Sequence, residues 1–241
     1  AGVAAANAAA ACGAKVLLVE SSQRLDSSVT ESGSSRVQCQ FGSTCVGIYP
    51  DLWAAIVDSE CLTKIRTRSL VLATGCEDQP AIFGNNDLPG VMLGEAARRL
   101  IERYSVRPSE RPLVLTAGRY GHRMAESLLE HEIRVAGVVD LRERGTSSHP
   151  VGDLIDYPVM HAHAVVEAVP RRGNSGVKAA RLRAIDEKGQ LFGVVTEIPC
   201  DGIIMCVSRT PRDGLLRQAG GTMAYDQRLH RHVPELSLIH I

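Results

Sequence analysis

One pattern in the sequence constrains the fold more than any other. Residues 113–116 are a short apolar run, 117–121 a glycine turn, 124–131 a helical stretch and 134–139 a second apolar run, which ends on the acid Asp140. This order predicts a βαβ unit whose glycines let the backbone approach a pyrophosphate at the N-terminus of the helix. The pattern therefore predicts an α/β fold with a parallel sheet.

The glycine turn matches the GxGxxG motif in two of its three places. Gly118 and Gly121 hold the second and third places, whereas Thr116 stands where the first glycine belongs. The first glycine serves the tight turn, the second allows the backbone to approach the pyrophosphate, and the third allows close packing of helix on strand. Gly118 and Gly121 are therefore predicted cofactor-binding residues.

The acid at the end of the second run predicts the choice of nucleotide. Asp140 can accept a hydrogen bond from the 2′-hydroxyl of an adenosine ribose and repels a 2′-phosphate, which favours NAD. Arg142 and Arg144 follow closely, so NADP stays open as the alternative.

A partial copy of this pattern opens the chain. Gly2 begins an Ala-rich helical stretch that reaches Ala11, and the apolar run 16–19 ends at Glu20. Gly2 is predicted to be the third glycine of a GxGxxG turn, with the first strand expected before residue 1, and Glu20 to bind an adenosine ribose. An ordinary Ala-rich helix on any parallel sheet is the alternative for this segment.

Each half of the chain continues with short strands. Loose alternation of apolar and polar residues predicts short antiparallel strands in the first half, within residues 37–48, 53–59 and 62–68. The same reasoning predicts a β-meander in the second half, at residues 164–169, 177–185 and 193–198. Continuous apolar runs at 69–75 and 200–207 predict one buried strand at the end of each half.

Two further motifs carry a resemblance to a known family. Residues 73–80 read ATGCEDQP, and residues 85–92 read NNDLPGVM. Together they resemble the linker of flavoprotein oxidoreductases with two dinucleotide domains, the pyridine nucleotide-disulfide oxidoreductase fold. The second motif is similar, more narrowly, to the α subunits of heterotetrameric sarcosine oxidase and their relatives, hydrogen cyanide synthase and opine oxidase.

The resemblance implies two Rossmann-like dinucleotide-binding domains, the second inserted in the first, with FAD and NAD as cofactors. Thr74 and Gly75 would be backbone neighbours of the first domain's cofactor. We expect an FAD-type first domain at residues 1–105 and an inserted NAD-type domain at 106–211. The chain is then expected to return to the first domain at 212–235 and to end in a non-native tail at 236–241. The chain is thus expected to be a fragment of such a protein.

Three functions are open on this basis. The first is a dinucleotide-binding subunit that works with a partner flavoprotein subunit on a small amine or amino acid. In that family the amine is oxidised at a flavin on another subunit, so the sequence assigns no catalytic residue to this chain. The second is a stand-alone NAD(P)H-dependent reductase that feeds a ferredoxin or another small acceptor, and the third is a non-catalytic truncated product.

Composition argues against several other classes of protein. Lys and Arg together number 27, as do Asp and Glu, so no net positive charge attracts nucleic acid or an anionic membrane. The seven cysteines form no CxxC motif, which indicates reduced thiols in the cytoplasm and no disulfide relay. His161 and His163 lack further ligands at a suitable spacing, so no metal site is expected.

Overall fold

The computed structural model describes residues 1–25, 35–143, 157–227 and 231–235. Arg144 and the expected non-native tail at 236–241 lie outside the described residues. The helices are α1 (Gly2–Ala11), α2 (Gly94–Tyr104), α3 (Arg119–Glu130) and α4 (Gly214–Gln218). The strands are β1 (Val16–Val19), β2 (Val37–Gln40), β3 (Thr44–Tyr49), β4 (Trp53–Val57), β5 (Leu62–Arg66), β6 (Cys76–Gln79), β7 (Val91–Leu93), β8 (Pro112–Thr116), β9 (Gly137–Asp140), β10 (Val159–His161), β11 (His163–Pro170), β12 (Val177–Ile185), β13 (Leu191–Pro199), β14 (Gly202–Cys206), β15 (Ser208–Pro211), β16 (Met223–Asp226) and β17 (Arg231–Pro234).

The chain forms an α/β fold that divides into two compact units. The first unit consists of Ala1–Glu77 and Thr210–Ile241, and the second of Asp78–Arg209. The inserted domain is expected from the sequence to start at residue 106. In the structure the second unit begins earlier, because β7 pairs with β14 and brings α2 with it into the second unit.

The first unit combines a helix, a parallel strand pair and an antiparallel meander. The alanines of α1 favour helix, and Ala6 and Ala10 are buried. Strand β1 pairs in parallel with β2, with Val16 opposite Val37. Strands β3, β4 and β5 form the antiparallel meander, and β16 pairs antiparallel with β17.

Two expectations for the first unit are wrong. Residues 37–40 pair in parallel rather than antiparallel, since alternation indicates that one face of a strand is buried and not the direction of its partner. Residues 69–75 form no strand, and Val71 is 68% exposed. A continuous apolar run becomes a central strand only where strands pair on both sides of it, and the described residues place none beside it.

The second unit is built on a five-stranded parallel sheet. Its strand order is β10-β9-β8-β14-β7, and α3 connects β8 to β9. The residues of β8, β9 and β14 are all buried, as expected for strands covered on both faces. The predicted βαβ unit and the buried strand within 200–207 are therefore confirmed.

Different layers cover the two faces of this sheet. Val114 and Ile204 face α2 and α3, where they pack with Ala97, Met124 and Leu128. Leu113, Leu115, Ile203 and Met205 face the other way and pack with the antiparallel meander β11-β12-β13 through Val165, Ala168 and Leu182. The predicted meander is confirmed, and the unit has a helix layer, a parallel sheet and a meander layer.

The NNDLPGVM motif ties the meander to the parallel sheet. Just before it, Gly84 bonds β11 at a bulge, since its N–H donates to the Val166 carbonyl at 2.9 Å. Asn85 Nδ2 donates to the carbonyl of Ala168 at 3.0 Å. Gly90, with φ of 96°, places its carbonyl 2.9 Å from the amide of Ile203 in β14. The motif is therefore a structural link between two layers.

Candidate functional site

The carboxyl ends of the parallel strands in the second unit bring four side chains into one row. Strand register places His161 opposite Asp140, Asp140 opposite Thr116, and Thr116 opposite Cys206. In open parallel sheets, ligands bind at this edge, next to the N-termini of the crossover helices. Helix α3 begins here, directly after Gly118.

Thr116 forms hydrogen bonds within the glycine turn. Its Oγ1 accepts hydrogen bonds from the amides of Gly118 at 3.1 Å and Gly121 at 3.2 Å. The same hydroxyl lies 2.8 Å from the Gly118 carbonyl and 3.2 Å from that of Cys206, and can donate to either. Thr116 thus replaces the missing glycine by fixing the turn through its hydroxyl, and occupies two amides that face into the turn.

The two glycines of the turn have different roles. A Cβ on Gly121 would lie 2.3 Å from Thr116 Cβ, so only glycine fits between α3 and the end of β8. A Cβ on Gly118 would have no atom within 4 Å, and its φ of −174° is accessible to any residue. Gly121 is therefore required for close packing, as the GxGxxG pattern predicts, whereas space at Gly118 stays open toward the sheet edge.

The carboxylate of Asp140 is bonded by side chains and backbone of the protein itself. Its side chain is 2% exposed, and its Oδ2 lies 3.0 Å from His122 Nε2 and 2.8 Å from Arg142 Nη2. Its Oδ1 accepts from the backbone amide and the Nε of Arg142, both at 3.0 Å. A carboxylate has about four lone-pair positions, so this one is saturated. The geometry does not support the expected bond from Asp140 to a ribose hydroxyl.

The electrostatics of Asp140 agree with this structural role. Burial alone opposes its charge, but the hydrogen bonds from His122 and Arg142 outweigh burial and hold the pKa of the carboxyl well below its ordinary value. His122 Nδ1 is buried and has no hydrogen-bond partner among the described residues. The guanidinium of Arg142 is 28% exposed and is therefore more accessible than the carboxylate of Asp140 at this edge of the sheet.

The first unit holds the other pair of predicted residues. A Cβ on Gly2 would lie 3.3 Å from Ala73 Cβ, so α1 packs closely at this position. Glu20 follows β1, and its Oε1 accepts from the amide of Ser22 at 2.8 Å. Its second oxygen has no partner among the described residues, so Glu20, unlike Asp140, keeps an unoccupied acceptor, and its contact with a ribose stays a prediction.

Thr74 and Gly75 contact the segment that returns to the first unit. Thr74 Oγ1 donates to the carbonyl of Arg212 at 2.7 Å, and the amide of Arg212 donates to the Gly75 carbonyl at 3.0 Å. Gly75 has φ of 73°, a left-handed conformation that favours glycine. The structure therefore brings these two residues together with Arg212, while their contact with a cofactor stays a prediction.

A buried polar cluster in the second unit was not predicted from the sequence. Asp78, 4% exposed, accepts from Arg209 Nε at 3.0 Å and from the amide of Glu95 at 2.6 Å. The guanidinium of Arg209 lies 3.4 Å from the centre of the Tyr120 ring. A buried Asp and a distant Arg leave no local pattern in the sequence, although Asp78 lies within the motif at residues 73–80.

Several other candidates form no site. Among the described residues, no group of three or more metal-ligating side chains comes together, His161 and His163 included. All seven cysteines are unpaired, and burial raises the pKa of the Cys206 thiol to about 12. Arg98 and Arg99 pair with Glu95 on the surface of α2. None of the helices in the described ranges is long and apolar enough to cross a membrane.

Comparison with known proteins gives clear relatives. No protein-family model matches the chain. The sarcosine oxidase subunit alpha of Rhizobium meliloti (strain 1021) is 39% identical over 83 residues, which are 34% of this chain and 8% of the relative. That of Corynebacterium sp. (strain U-96) is 26% identical over 178 residues, 74% of this chain and 18% of the relative. The chain therefore spans less than a fifth of the length of these relatives.

Solved structures agree on the fold. L-proline dehydrogenase from P. horikoshii matches 96% of this chain and 45% of its own, with a TM-score of 0.64 and 18% identity. An FAD-dependent pyridine nucleotide-disulphide oxidoreductase from Desulfovibrio vulgaris matches 89% of this chain and 57% of its own, with a TM-score of 0.57 and 17% identity. The chain is thus a homologue of sarcosine oxidase α subunits with the fold of the pyridine nucleotide-disulfide oxidoreductases.

Proposed function

We propose that the chain is the dinucleotide-binding part of an FAD- and NAD(P)-dependent oxidoreductase of the sarcosine oxidase α type. The observation that carries the proposal is the position of the Gly118–Gly121 turn and the N-terminus of α3 at the carboxyl edge of the five-stranded parallel sheet. The positive end of the helix dipole at such a place favours a pyrophosphate. Similarity to sarcosine oxidase α subunits supports the same conclusion.

The two cofactors would take different units. In the first unit, Gly2 fits close helix packing and Glu20 keeps one carboxylate oxygen for an adenosine ribose, so we assign FAD there. In the second unit, the Gly118–Gly121 turn would hold the pyrophosphate of NAD(P). FAD accepts electrons in pairs and NAD(P) carries them as hydride. The chain's own residues would bind and orient these groups, Thr74 and Gly75 lying beside the flavin nucleotide.

Substrate and partner are the further parts of the proposal. The curated relatives are named as subunits, which supports a partner flavoprotein subunit in a hetero-oligomer. A small amine or amino acid would then be oxidised on the complex rather than by a residue of this chain. Seven unpaired cysteines, among them the exposed Cys12, Cys61 and Cys76, support a reducing, cytoplasmic location.

Nucleotide titration tests the core of the proposal. NADH and NADPH fluorescence, together with quenching of FAD fluorescence, are measured on the full-length protein that contains this chain and on its Gly121→Val and Gly214→Ala variants. A Cβ on Gly214 meets no atom within 4 Å, so that variant controls for the substitution itself. We expect Gly121→Val to lose NADH or NADPH binding and to keep FAD binding. A folded wild-type protein that binds none of the three would refute the proposal.

A second experiment separates the subunit from a stand-alone reductase. The protein is purified from its own cells, and the material that elutes with it is analysed for a second flavoprotein. Co-elution of such a subunit supports the proposal. Rapid NADH-dependent reduction of a dye by the isolated chain supports the stand-alone reductase instead.

A further inference from the structure

Four residues from separate parts of the second unit meet beside the first turn of α3. They are Asp78 from β6, Glu95 from α2, Tyr120 from α3 and Arg209 from β15, here called the Arg209 cluster. Asp78 accepts from the Glu95 amide, which belongs to the first turn of α2. The cluster therefore joins the beginnings of two helices to the two strands at the ends of the unit.

Within the cluster, Arg209 is held from two sides. Its Nε donates to Asp78 Oδ1 at 3.0 Å, and its guanidinium carbon lies 3.4 Å from the centre of the Tyr120 ring. Tyr120 Oη is in turn 3.4 Å from Asp78 Oδ2. A guanidinium that is fixed by a buried carboxylate presents its flat face to the ring, which is the geometry of a cation–π contact.

Neighbouring atoms leave the Tyr120 ring little space to move. A Cβ on Gly94 would lie 2.8 Å from Tyr120 Oη and 2.5 Å from Cys206 Sγ, so the backbone of α2 lies against the ring. Burial raises the pKa of the Tyr120 hydroxyl above its ordinary value, as expected for a ring enclosed on several sides. The ring is thus enclosed by α2, the end of β14 and Arg209.

Tyr120 is the second residue of α3 and lies inside the Gly118–Gly121 turn. On the inner side of this turn, Thr116 Oγ1 accepts the amides of Gly118 and Gly121. On the outer side, Arg209 covers the ring of Tyr120. The direction of the first amides of α3 is thus fixed by one hydroxyl and one stacked guanidinium.

We propose that Arg209 is a positioning residue for the dinucleotide site: by stacking on Tyr120 it holds the first turn of α3 in the orientation that receives a pyrophosphate. The inference rests on the proposed function, because that function places the pyrophosphate at this turn. Without the stack, the first turn samples other orientations, and binding of a nucleotide must restore the right one. The free energy needed to restore the orientation is subtracted from the free energy of nucleotide binding, so the affinity for the nucleotide falls.

The test compares Arg209→Ala, Arg209→Lys and Tyr120→Leu with the wild-type protein. NADH affinity is measured by fluorescence titration, and amide hydrogen exchange at residues 118–121 is measured without ligand. Arg66→Ala is the matched control, because Arg66 lies 6.0 Å from the ring of Trp53 in the first unit. Loss of a half-buried cation–π contact predicts about fivefold to thirtyfold weaker NADH binding in Arg209→Ala and Tyr120→Leu.

Faster exchange at residues 118–121 should accompany the weaker binding. The double variant Arg209→Ala/Tyr120→Leu should bind NADH no more weakly than either single variant, because both changes remove the same contact. Arg209→Lys keeps the charge without the flat stacking group, so it should also weaken binding. Wild-type affinity in Arg209→Lys would show that charge alone acts and would overturn the inference. So would lower unfolding stability with unchanged affinity and exchange. A wild-type protein that binds no nucleotide refutes the proposed function, whereas faster exchange in Arg209→Ala still supports the positioning role.

Discussion

Removal of the Asp140 carboxylate tests whether this residue serves the fold or the ligand. The sequence predicts that Asp140 binds the ribose of NAD, so that Asp140→Ala costs nucleotide affinity. The structure instead shows the carboxylate saturated by His122 and Arg142. We therefore expect Asp140→Ala to lower the free energy of unfolding of the second unit.

The size of the effect follows from what each partner of Asp140 loses. His122 is 5% exposed, so water cannot readily replace the lost acceptor of its ring N–H, and an unsatisfied buried group costs about 1–3 kcal/mol. Arg142 is 28% exposed and regains water, so the loss of its ion pair adds only about 1 kcal/mol. The expected destabilisation is about 2–4 kcal/mol, most of it from His122.

Urea unfolding with two probes can assign this loss to one unit. The chain has one tryptophan, Trp53, which lies in the first unit, whereas far-UV circular dichroism reports on both units. Asp140→Ala should shift the dichroism transition and leave the Trp53 transition in place. Asp186→Asn is the control, because Asp186 is exposed and accepts only backbone amides in a turn.

The pH dependence gives an independent check. The folded pKa of Asp140 lies well below its ordinary value, which is about 3.9 in the unfolded chain. Its contribution to stability is therefore complete above about pH 5 and is lost as the pH falls through 4 toward the folded pKa. The stability difference between wild type and Asp140→Asn should be constant from pH 7 to 5 and shrink below that.

One result would refute the reasoning directly. If Asp140→Ala unfolds with wild-type stability but binds NADH more than tenfold more weakly, the carboxylate serves the ligand. Saturation of its oxygens would then be irrelevant in the nucleotide-bound protein, and the sequence prediction would be right.

Three further predictions concern Thr116, the glycines of the turn and the cysteines. Thr116→Ser keeps the hydroxyl, so its free energy of unfolding in urea should stay within about 1 kcal/mol of wild type. Thr116→Val leaves the amides of Gly118 and Gly121 without an acceptor and should lower the free energy of unfolding by about 1–3 kcal/mol. Equal stability of the two variants would contradict the role of the hydroxyl. Gly121→Ala should lower the melting temperature by several degrees because its Cβ meets Thr116, while Gly118→Ala should not change it. Iodoacetamide at pH 7.5 should alkylate Cys12, Cys61 and Cys76 in the folded protein and spare Cys206, whose thiol pKa is about 12; mass spectrometry of the native protein would reveal a modified Cys206 if this is wrong.

The sequence was a good guide wherever the determining interactions are local. Strand β8, helix α3 and strand β9 follow from an apolar run, a glycine turn and helical periodicity, all within 29 residues. The meander of the second unit follows from alternation and from turns at Gly173 and Gly189, both with positive φ. Such patterns act over a few residues, so they can be recognised without knowledge of the partners.

The sequence was a poor guide wherever the outcome depends on a partner distant in the chain. The apolar run at 69–75 has the composition of a central strand, yet a strand exists only where neighbours pair with it. The second unit begins at residue 78 rather than 106 for the same reason, since β7 takes its place by pairing with β14, 112 residues later.

The sequence by itself determined the class of fold, the glycine turn and the acids at the two strand ends. Only the tertiary structure decided what those acids do. Glu20 keeps one carboxylate oxygen without a partner among the described residues, whereas both oxygens of Asp140 are bonded by His122 and Arg142, because the packing of α3 on β9 buries the Asp140 carboxylate. Tertiary structure also brought Asp78, Tyr120 and Arg209 together from positions up to 131 residues apart. Hydrogen bonding and burial are properties of neighbours in space, and a chain specifies these only once it has folded.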